Sequence, residues 1–289
     1  MVESENLPQP VRRLAAELGL TVERRLAGGE WGAYLATDAD GVRVVLKIMP
    51  RHETRLLERV TLAVRLTDRL RRDGYPIPRF LDHGRRQDEV YTVQEFVDGD
   101  VPNLLTAAHV RQVDELWRRH RGAAAPERAD WPAELAAART IGHRLCERLA
   151  GTTQERLARR ITAILDAADG TNLRATDLEH RDFHYRNLMV DGPRLVAIFD
   201  WESARPGDAR RDLLRMASTG IGIGRLEPEA SDLLRELVRR EVPADVRTVL
   251  GAILALGDLG FGTYAGAEPP EWILRSCAYL LDDAVPDRA

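Results

Sequence analysis

Lysine is almost missing from this chain of 289 residues. Of its 42 basic residues 41 are arginine, and Lys47 is the one lysine. Where arginine serves everywhere else, the surviving lysine is expected at a position that needs a compact ammonium and rejects a planar guanidinium fork. Cysteine is nearly absent as well. Cys146 and Cys277 are too few for a disulfide framework or a structural thiolate zinc site. No apolar run approaches the ~18 residues of a spanning helix; the longest, Val249 to Leu256, has eight. The opening segment MVESENLPQP lacks a basic stretch followed by an apolar one, so it does not read as a secretory signal. Strong charge of one sign is also missing: the net charge is −4, which argues against a general nucleic-acid-binding surface. What is present, 44% hydrophobic and 30% charged residues, is the usage of a folded globular chain. These features lead us to expect a cytoplasmic protein, monomeric or homodimeric, with neither nucleic acid nor membrane as partner.

The organisation changes along the chain. Residues 11–19 read as a short amphipathic helix closed by Gly19. Val22 to Leu26, Trp31 to Thr37 and Val42 to Met49 are strand-like, and Asp40-Gly41 between the last two is a hairpin signal. Apolar residues at Leu56, Val60, Ala63, Val64, Leu66 and Leu70 make a helical stripe over 52–73, ended by Gly74 and Pro76. Arg79 to Gly84 and Glu89 to Val97 are two further strands. Residues 103–170 and 208–289 are helical, with breaks at glycine and proline, and 178–202 holds short apolar segments around a polar loop. The expected architecture is a β-rich lobe with one long helix over 1–98 and a larger α-helical lobe over 99–289.

Chemistry concentrates in Glu179-His-Arg-Asp-Phe-His-Tyr-Arg-Asn187 and Asp200-Trp-Glu202. A carboxylate and an amide, Asp200 and Asn187, are oxygen ligands suited to Mg²⁺. The segments Leu188 to Val190 and Leu195 to Phe199 read as a strand pair that would bring these two ligands together. Asp182 is then free to orient a hydroxyl or accept its proton. His180-Arg-Asp182 with Asn187 five positions on, and a further Asp 13 residues later, has the spacing of a kinase catalytic loop. Val44-Val-Leu-Lys-Ile48 is similar to the strand that carries a kinase's phosphate-binding lysine, and its lysine is Lys47. Gly28, Gly29 and Gly32 precede it and would cover phosphates with backbone N–H groups, although they do not form G-x-G-x-x-G. Glu58 is the preferred acidic partner of Lys47, with Glu53 as its rival. Backbone groups of Glu95 and Val97 would meet an adenine edge.

Other classes fit less well. A P-loop needs a lysine in a context that Lys47 lacks. Gly220-Ile-Gly-Ile-Gly224 follows a helical pattern where a dinucleotide loop would follow a strand. The one Ala-Pro-Glu, at 125–127, lies before the catalytic loop, against a protein kinase. A metal-dependent hydrolase built on His180, Asp182 and His184 would leave Lys47 and Asn187 unexplained.

With these motifs the chain resembles the aminoglycoside phosphotransferase family, over roughly residues 20–215. The resemblance implies an α+β, protein-kinase-like fold of two lobes. It implies transfer of the γ-phosphate of ATP, with Mg²⁺, to a small-molecule hydroxyl. Asp182 would be catalytic, Lys47 would hold phosphates, and Asn187 and Asp200 would hold the metal. It favours a cationic antibiotic as acceptor, an aminoglycoside or a basic peptide, and hence a role in antibiotic resistance; a metabolic alcohol or a macrolide-like acceptor is the alternative. Glu202, Asp208, Asp282 and Asp283 are the carboxylates expected to receive such a cation, and Asp212 is expected to brace the catalytic loop. Two departures stand out: Arg181 where the family usually has glycine, and Tyr185-Arg186 in place of Pro-Gly.

Overall fold

The computed structural model describes residues 7–26, 32–49, 55–264 and 267–281. Its contacts divide the chain into two compact units. One comprises residues 1–100 and 196–204, the other 101–195 and 205–289.

The first unit is built on a five-stranded antiparallel sheet of order β1-β2-β3-β5-β4. Its strands are β1 (Thr21–Arg25), β2 (Ala33–Thr37), β3 (Arg43–Met49), β4 (Phe80–Arg86) and β5 (Glu89–Glu95). The β2–β3 turn forms at Asp40-Gly41 as the sequence predicts. The Asp38 carboxylate accepts the N–H groups of Asp40 and Val42, and Gly41 takes a φ of 81°. Alternation gives the sheet two faces. Tyr34, Ala36, Val44, Leu46, Tyr91 and Val93 pack against Val11, Leu14 and Ala15 of helix α1 (Gln9–Glu17). Met49 and Val90, on the opposite face, pack against Leu56 and Val60 of α2 (Leu56–Arg72). Lys47 belongs to this second face, because it stands two residues from Met49 on the same strand.

Residues 196–204 join this unit by specific contacts. The Ile198 N–H donates to the Pro76 carbonyl (2.8 Å), and Trp201 meets Tyr75 edge-on with ring centroids 5.7 Å apart. A 3-10 turn, Trp201–Ser203, follows Asp200 and packs on α2.

The second unit holds α3 (Ala107–Arg118), α4 (Trp131–Arg148), α5 (Glu155–Ala167), α6 (Arg210–Ile223), α7 (Pro228–Glu241), α8 (Ala244–Gly262) and α9 (Glu271–Leu281). Asp130 caps α4 as its Asp-Trp-Pro start predicts, accepting the Ala133 N–H at 3.1 Å. Strands β6 (Asp177–Glu179) and β9 (Arg205–Gly207) pair antiparallel; β9 was not foreseen, since three residues carry no periodicity. β7 (Leu188–Asp191) lies in this unit, and the unit boundary falls inside β8 (Arg194–Ile198). The run Gly220 to Gly224 lies at the end of α6, where Gly224 closes the helix at φ 73°. Among the described residues no helix is long and apolar enough to cross a membrane.

Helices α8 and α9 approach so closely that a Cβ on Gly251 would stand 2.5 Å from the Leu280 carbonyl oxygen. Gly251→Ala therefore forces backbone apart, and we expect a loss of about 1–3 kcal/mol. Thermal unfolding followed by circular dichroism checks it; an unchanged or raised Tm would show that the two helices do not pack at this distance.

Candidate active site

The lone lysine is held by two carboxylates within the first unit. Its Nζ lies 2.7 Å from Asp200 Oδ1 and 3.0 Å from Glu202 Oε1. Glu202 in turn accepts from Gln94 Nε2 (2.6 Å) and Thr92 Oγ1 (3.1 Å). Cross-strand register explains the constellation: Lys47 faces Thr92 and Val45 faces Gln94 on neighbouring strands, so the three polar side chains share one face. Burial acts to lower the Lys47 ammonium, but Glu202 and Asp200 outweigh it and hold it above its ordinary value. Burial also raises Glu202, against the pull of Lys47.

This arrangement corrects two expectations. Glu58 is exposed on the first turn of α2 and does not meet Lys47; among the described residues Glu202 does. The reason is geometric: the Asp200-Trp-Glu turn carries Glu202 beneath the sheet, which no helical periodicity reveals. Equally, Glu202 is not a wall for an acceptor, because it is 3% exposed and spent on Lys47, Thr92 and Gln94.

Asp200 has a φ of 71°, in the left-handed region that costs a residue with a side chain about 1 kcal/mol or more. Its side chain keeps 39% of its exposure. The remaining N-terminal candidates are less telling. Gly32 accepts the Ile48 N–H at 3.2 Å, beside Lys47. The Glu95 N–H donates to the Arg79 carbonyl (2.9 Å), so it is not the spare donor that an adenine edge requires. Val97 lies half-buried just past β5. Gly28, Gly29, Glu53, Asp282 and Asp283 lie outside the described residues.

The second unit carries the loop between β6 and a 3-10 turn, Tyr185–Asn187. Asp212, fully buried, takes the peptide N–H groups of His180 (2.7 Å) and Arg181 (3.0 Å) on its two oxygens. Phe183 is buried between the rings of His120 and His180, each 5.6 Å away. Anchored on both sides, the loop presents Asp182 half-exposed. Asn187 Nδ2 donates to the Asp182 carbonyl (2.8 Å) and reaches its Oδ2 at 3.3 Å. That commits the amide nitrogen inward and leaves the amide oxygen as the atom suited to a hard cation. His184 Nε2 lies 3.3 Å from Asp182 Oδ2. Burial acts to raise the Asp182 carboxyl, but the His184 hydrogen bond and the charges of His184, His180 and Arg215 hold it well below the usual carboxylate range. Asp182 is therefore ionised at neutral pH, a weak base that is well made to orient a hydroxyl.

His180, Asp182 and His184 do not form a metal site: the His180 Nδ1 faces the Asp182 N–H at 3.3 Å. No group of three or more metal-binding side chains exists among the described residues. Asp208 is also corrected. It is fully buried, bonded to Arg210 and to the Arg174 N–H, and is not available to a cationic acceptor.

A charge cluster that the sequence did not disclose adjoins the loop. Arg181 of the loop, Arg205 of β9 and Arg211 of α6 all converge on Glu134 Oε1, at 2.8, 2.5 and 2.8 Å. Glu179 Oε2 meets Arg181 at 3.3 Å and Arg211 at 3.7 Å. Burial acts to raise Glu134, yet Arg211, Arg181 and Arg205 bring it down to about 2. Its charge therefore persists through neutral and mildly acidic pH and is lost only as pH falls toward that value. The only advance signal was Arg181 itself, in place of a glycine; it has a φ of 80°.

No curated protein matches the sequence. Solved structures match over nearly the whole chain at low identity and show a common fold. Aminoglycoside phosphotransferase APH(4)-Ia is 19% identical, with a TM-score of 0.68 over 93% of this chain and 97% of its own. Macrolide 2'-phosphotransferase MphH from Brachybacterium faecium is 19% identical, with a TM-score of 0.60 over 98% of this chain and 100% of its own. Amicoumacin kinase hAmiN, solved with AMP-PNP, Ca²⁺ and Ami, is 14% identical, with a TM-score of 0.60 over 98% of this chain and 89% of its own. The α+β fold is thus the kinase-like one that these phosphotransferases share. Residues 22–245 match the family described as APH, phosphotransferase enzyme family, and a match of that extent, spanning the lysine strand, the Asp182 loop and the Asp200 turn, shows that the chain belongs to it.

Proposed function

We propose that this protein transfers the γ-phosphoryl group of ATP to a hydroxyl of a small-molecule antibiotic. The observation that carries the reading is the lone lysine, held by Asp200 and Glu202 on one face of the sheet. A purely structural ion pair would accept arginine, which this chain uses everywhere else. A compact ammonium beside a carboxylate with exposed surface suits a nucleotide's phosphates together with a divalent cation.

Asn187 and Asp200 are the residues that would hold Mg²⁺. When bound, the ion neutralises charge on the phosphate oxygens. Lys47 holds phosphate oxygens, with Glu202 fixing its direction. Asp182 accepts a hydrogen bond from the acceptor's hydroxyl and takes its proton late, as the phosphoryl group moves in line. A weakly basic carboxylate suffices because the transition state is loose and positioning supplies most of the rate.

Relatives support the nucleotide and the acceptor class. A thermostable mutant of APH(4)-Ia has been solved as a ternary complex with ADP and hygromycin B, at 17% identity and a TM-score of 0.66. A polycationic acceptor has lost part of its support, since Glu202 and Asp208 are spent on Lys47 and Arg210. A hydroxylated antibiotic need not be strongly basic to satisfy the rest of the site.

An ADP-release assay with ATP and Mg²⁺ across aminoglycosides, macrolides and hydroxylated metabolites tests the reading. Release that depends on one antibiotic, with one phosphoryl group gained by it, is the expected result; release with a metabolite alone would overturn the antibiotic assignment. Asp182→Ala should lower turnover by about 10²–10⁴-fold while nucleotide still binds; near-normal turnover would sink its role. His184→Ala removes the hydrogen bond that holds Asp182 low, so its carboxyl rises toward the ordinary carboxylate value. The acid limb of kcat/KM should then move up toward about pH 4, read between about pH 2.5 and about pH 7. An unmoved limb would show that His184 does not set the ionisation of Asp182.

A further inference from the structure

The Glu134 cluster is not needed by the chemistry just described, and it departs from simple ion pairing. Three guanidiniums share one carboxylate oxygen. They come from three separate segments: the catalytic loop, β9 and α6. Glu134 comes from a fourth, the first turn of α4. Two carboxylates, Glu134 and Glu179, face three arginines, and only Glu134 meets all three. Without it, three like charges would crowd around Glu179, whose other oxygen is already committed to the Asp208 N–H at 2.8 Å.

Arg181 gives the cluster its consequence. It is the residue immediately before Asp182, and its φ of 80° is a conformation that side-chain-bearing residues leave unless held, at a cost of about 1–2 kcal/mol. Glycine would adopt it freely. Three contacts hold it here, one of them the 3.3 Å bond from its guanidinium to Glu179 Oε2. Asp212 binds its peptide N–H (3.0 Å), and Glu134 binds its guanidinium (2.8 Å). The backbone direction at 181 determines where the next side chain points.

We propose that Glu134 is a positioning residue for catalysis: through its ion pair with Arg181 it fixes the left-handed turn that aims Asp182 at the acceptor hydroxyl. The proposal rests on the reading of Asp182 as the group that orients that hydroxyl. It assigns α4 a part in the reaction without contact with the reacting atoms.

A double-mutant cycle between Glu134→Gln and Arg181→Gly in the full-length protein tests this, with two readouts. Backbone amide exchange over residues 180–187 reports the loop without an acceptor. MgATP turnover with water as phosphoryl acceptor reports the chemistry, with kcat and KM for ATP separated. Glu134→Gln should speed loop exchange about tenfold and lower kcat about tenfold, leaving KM for ATP within about twofold. In the Arg181→Gly background, which needs no lock, the same substitution should change either readout by no more than about twofold. Glu134→Asp, which keeps the charge on a shorter arm, should recover part of the loss and covers the case in which Glu134→Gln folds poorly. An equal loss in both backgrounds would overturn the proposal, because Glu134 would then support the fold at large; so would unchanged exchange in Glu134→Gln. If water turnover is too slow to measure, kcat and KM are read with the acceptor that the ADP-release assay identifies. Coupled exchange together with full turnover by Asp182→Ala would overturn the role of Asp182 and leave the Glu134–Arg181 coupling standing.

Discussion

Asp212 is fully buried, and both of its oxygens are taken by consecutive peptide N–H groups, those of His180 and Arg181. Such a carboxylate is stable out of water only because backbone donors replace its hydration. The converse holds as well: the loop has its shape because that carboxylate stands on the first turn of α6. The Asp182 loop, the seating of Phe183 and the unusual backbone of Arg181 all depend on this one anchor. The helix is fixed in its turn by buried packing, so the loop inherits the rigidity of the core.

The same physics recurs wherever charge is buried in this protein. Lys47 is matched by Asp200 and Glu202, Asp208 by Arg210, Asp258 by Arg215, and Glu134 by three arginines. A buried pair of this kind adds little net stability, but removing one partner is costly because the other is left uncompensated. Its value lies in direction. Each pair fixes where a side chain points, and a reaction driven by alignment and charge neutralisation depends on pointing. Local strain follows the same pattern. Of the three described non-glycine residues at positive φ, two are Arg181 and Asp200, next to or within the two motifs that carry the chemistry.

Much of this was legible in the sequence. The strands of the first unit, the Asp40-Gly41 turn, the α2 stripe and the start of α4 follow from local rules of alternation, turn chemistry and capping, which act within a few residues. Lys47, Asp182, Asn187 and Asp200 stood out because their spacing is set by the chemistry they share, and a lysine unique in the chain is conspicuous however it folds. The brace formed by Asp212 was anticipated from the family resemblance. Glu202 was not foreseen beside Lys47 because the turn after Asp200 carries it there, and the Thr92 and Gln94 donors that fix it reach the same face only once β3 and β5 pair.

The sequence by itself determined the fold class, the family and the residue types on which the chemistry turns, because these depend on local propensity and on motif spacing along the chain. Only the tertiary structure decided which charge meets which. Glu202, and not Glu58, meets Lys47 among the described residues, Asp208 turned inward to Arg210, and Glu134 gathered Arg181, Arg205 and Arg211 from segments up to 77 residues away. An ion pair leaves no periodic trace in a sequence that uses arginine at nearly every basic position. It forms where folding removes water from two charges, and that depends on the three-dimensional packing of segments that are distant in the chain.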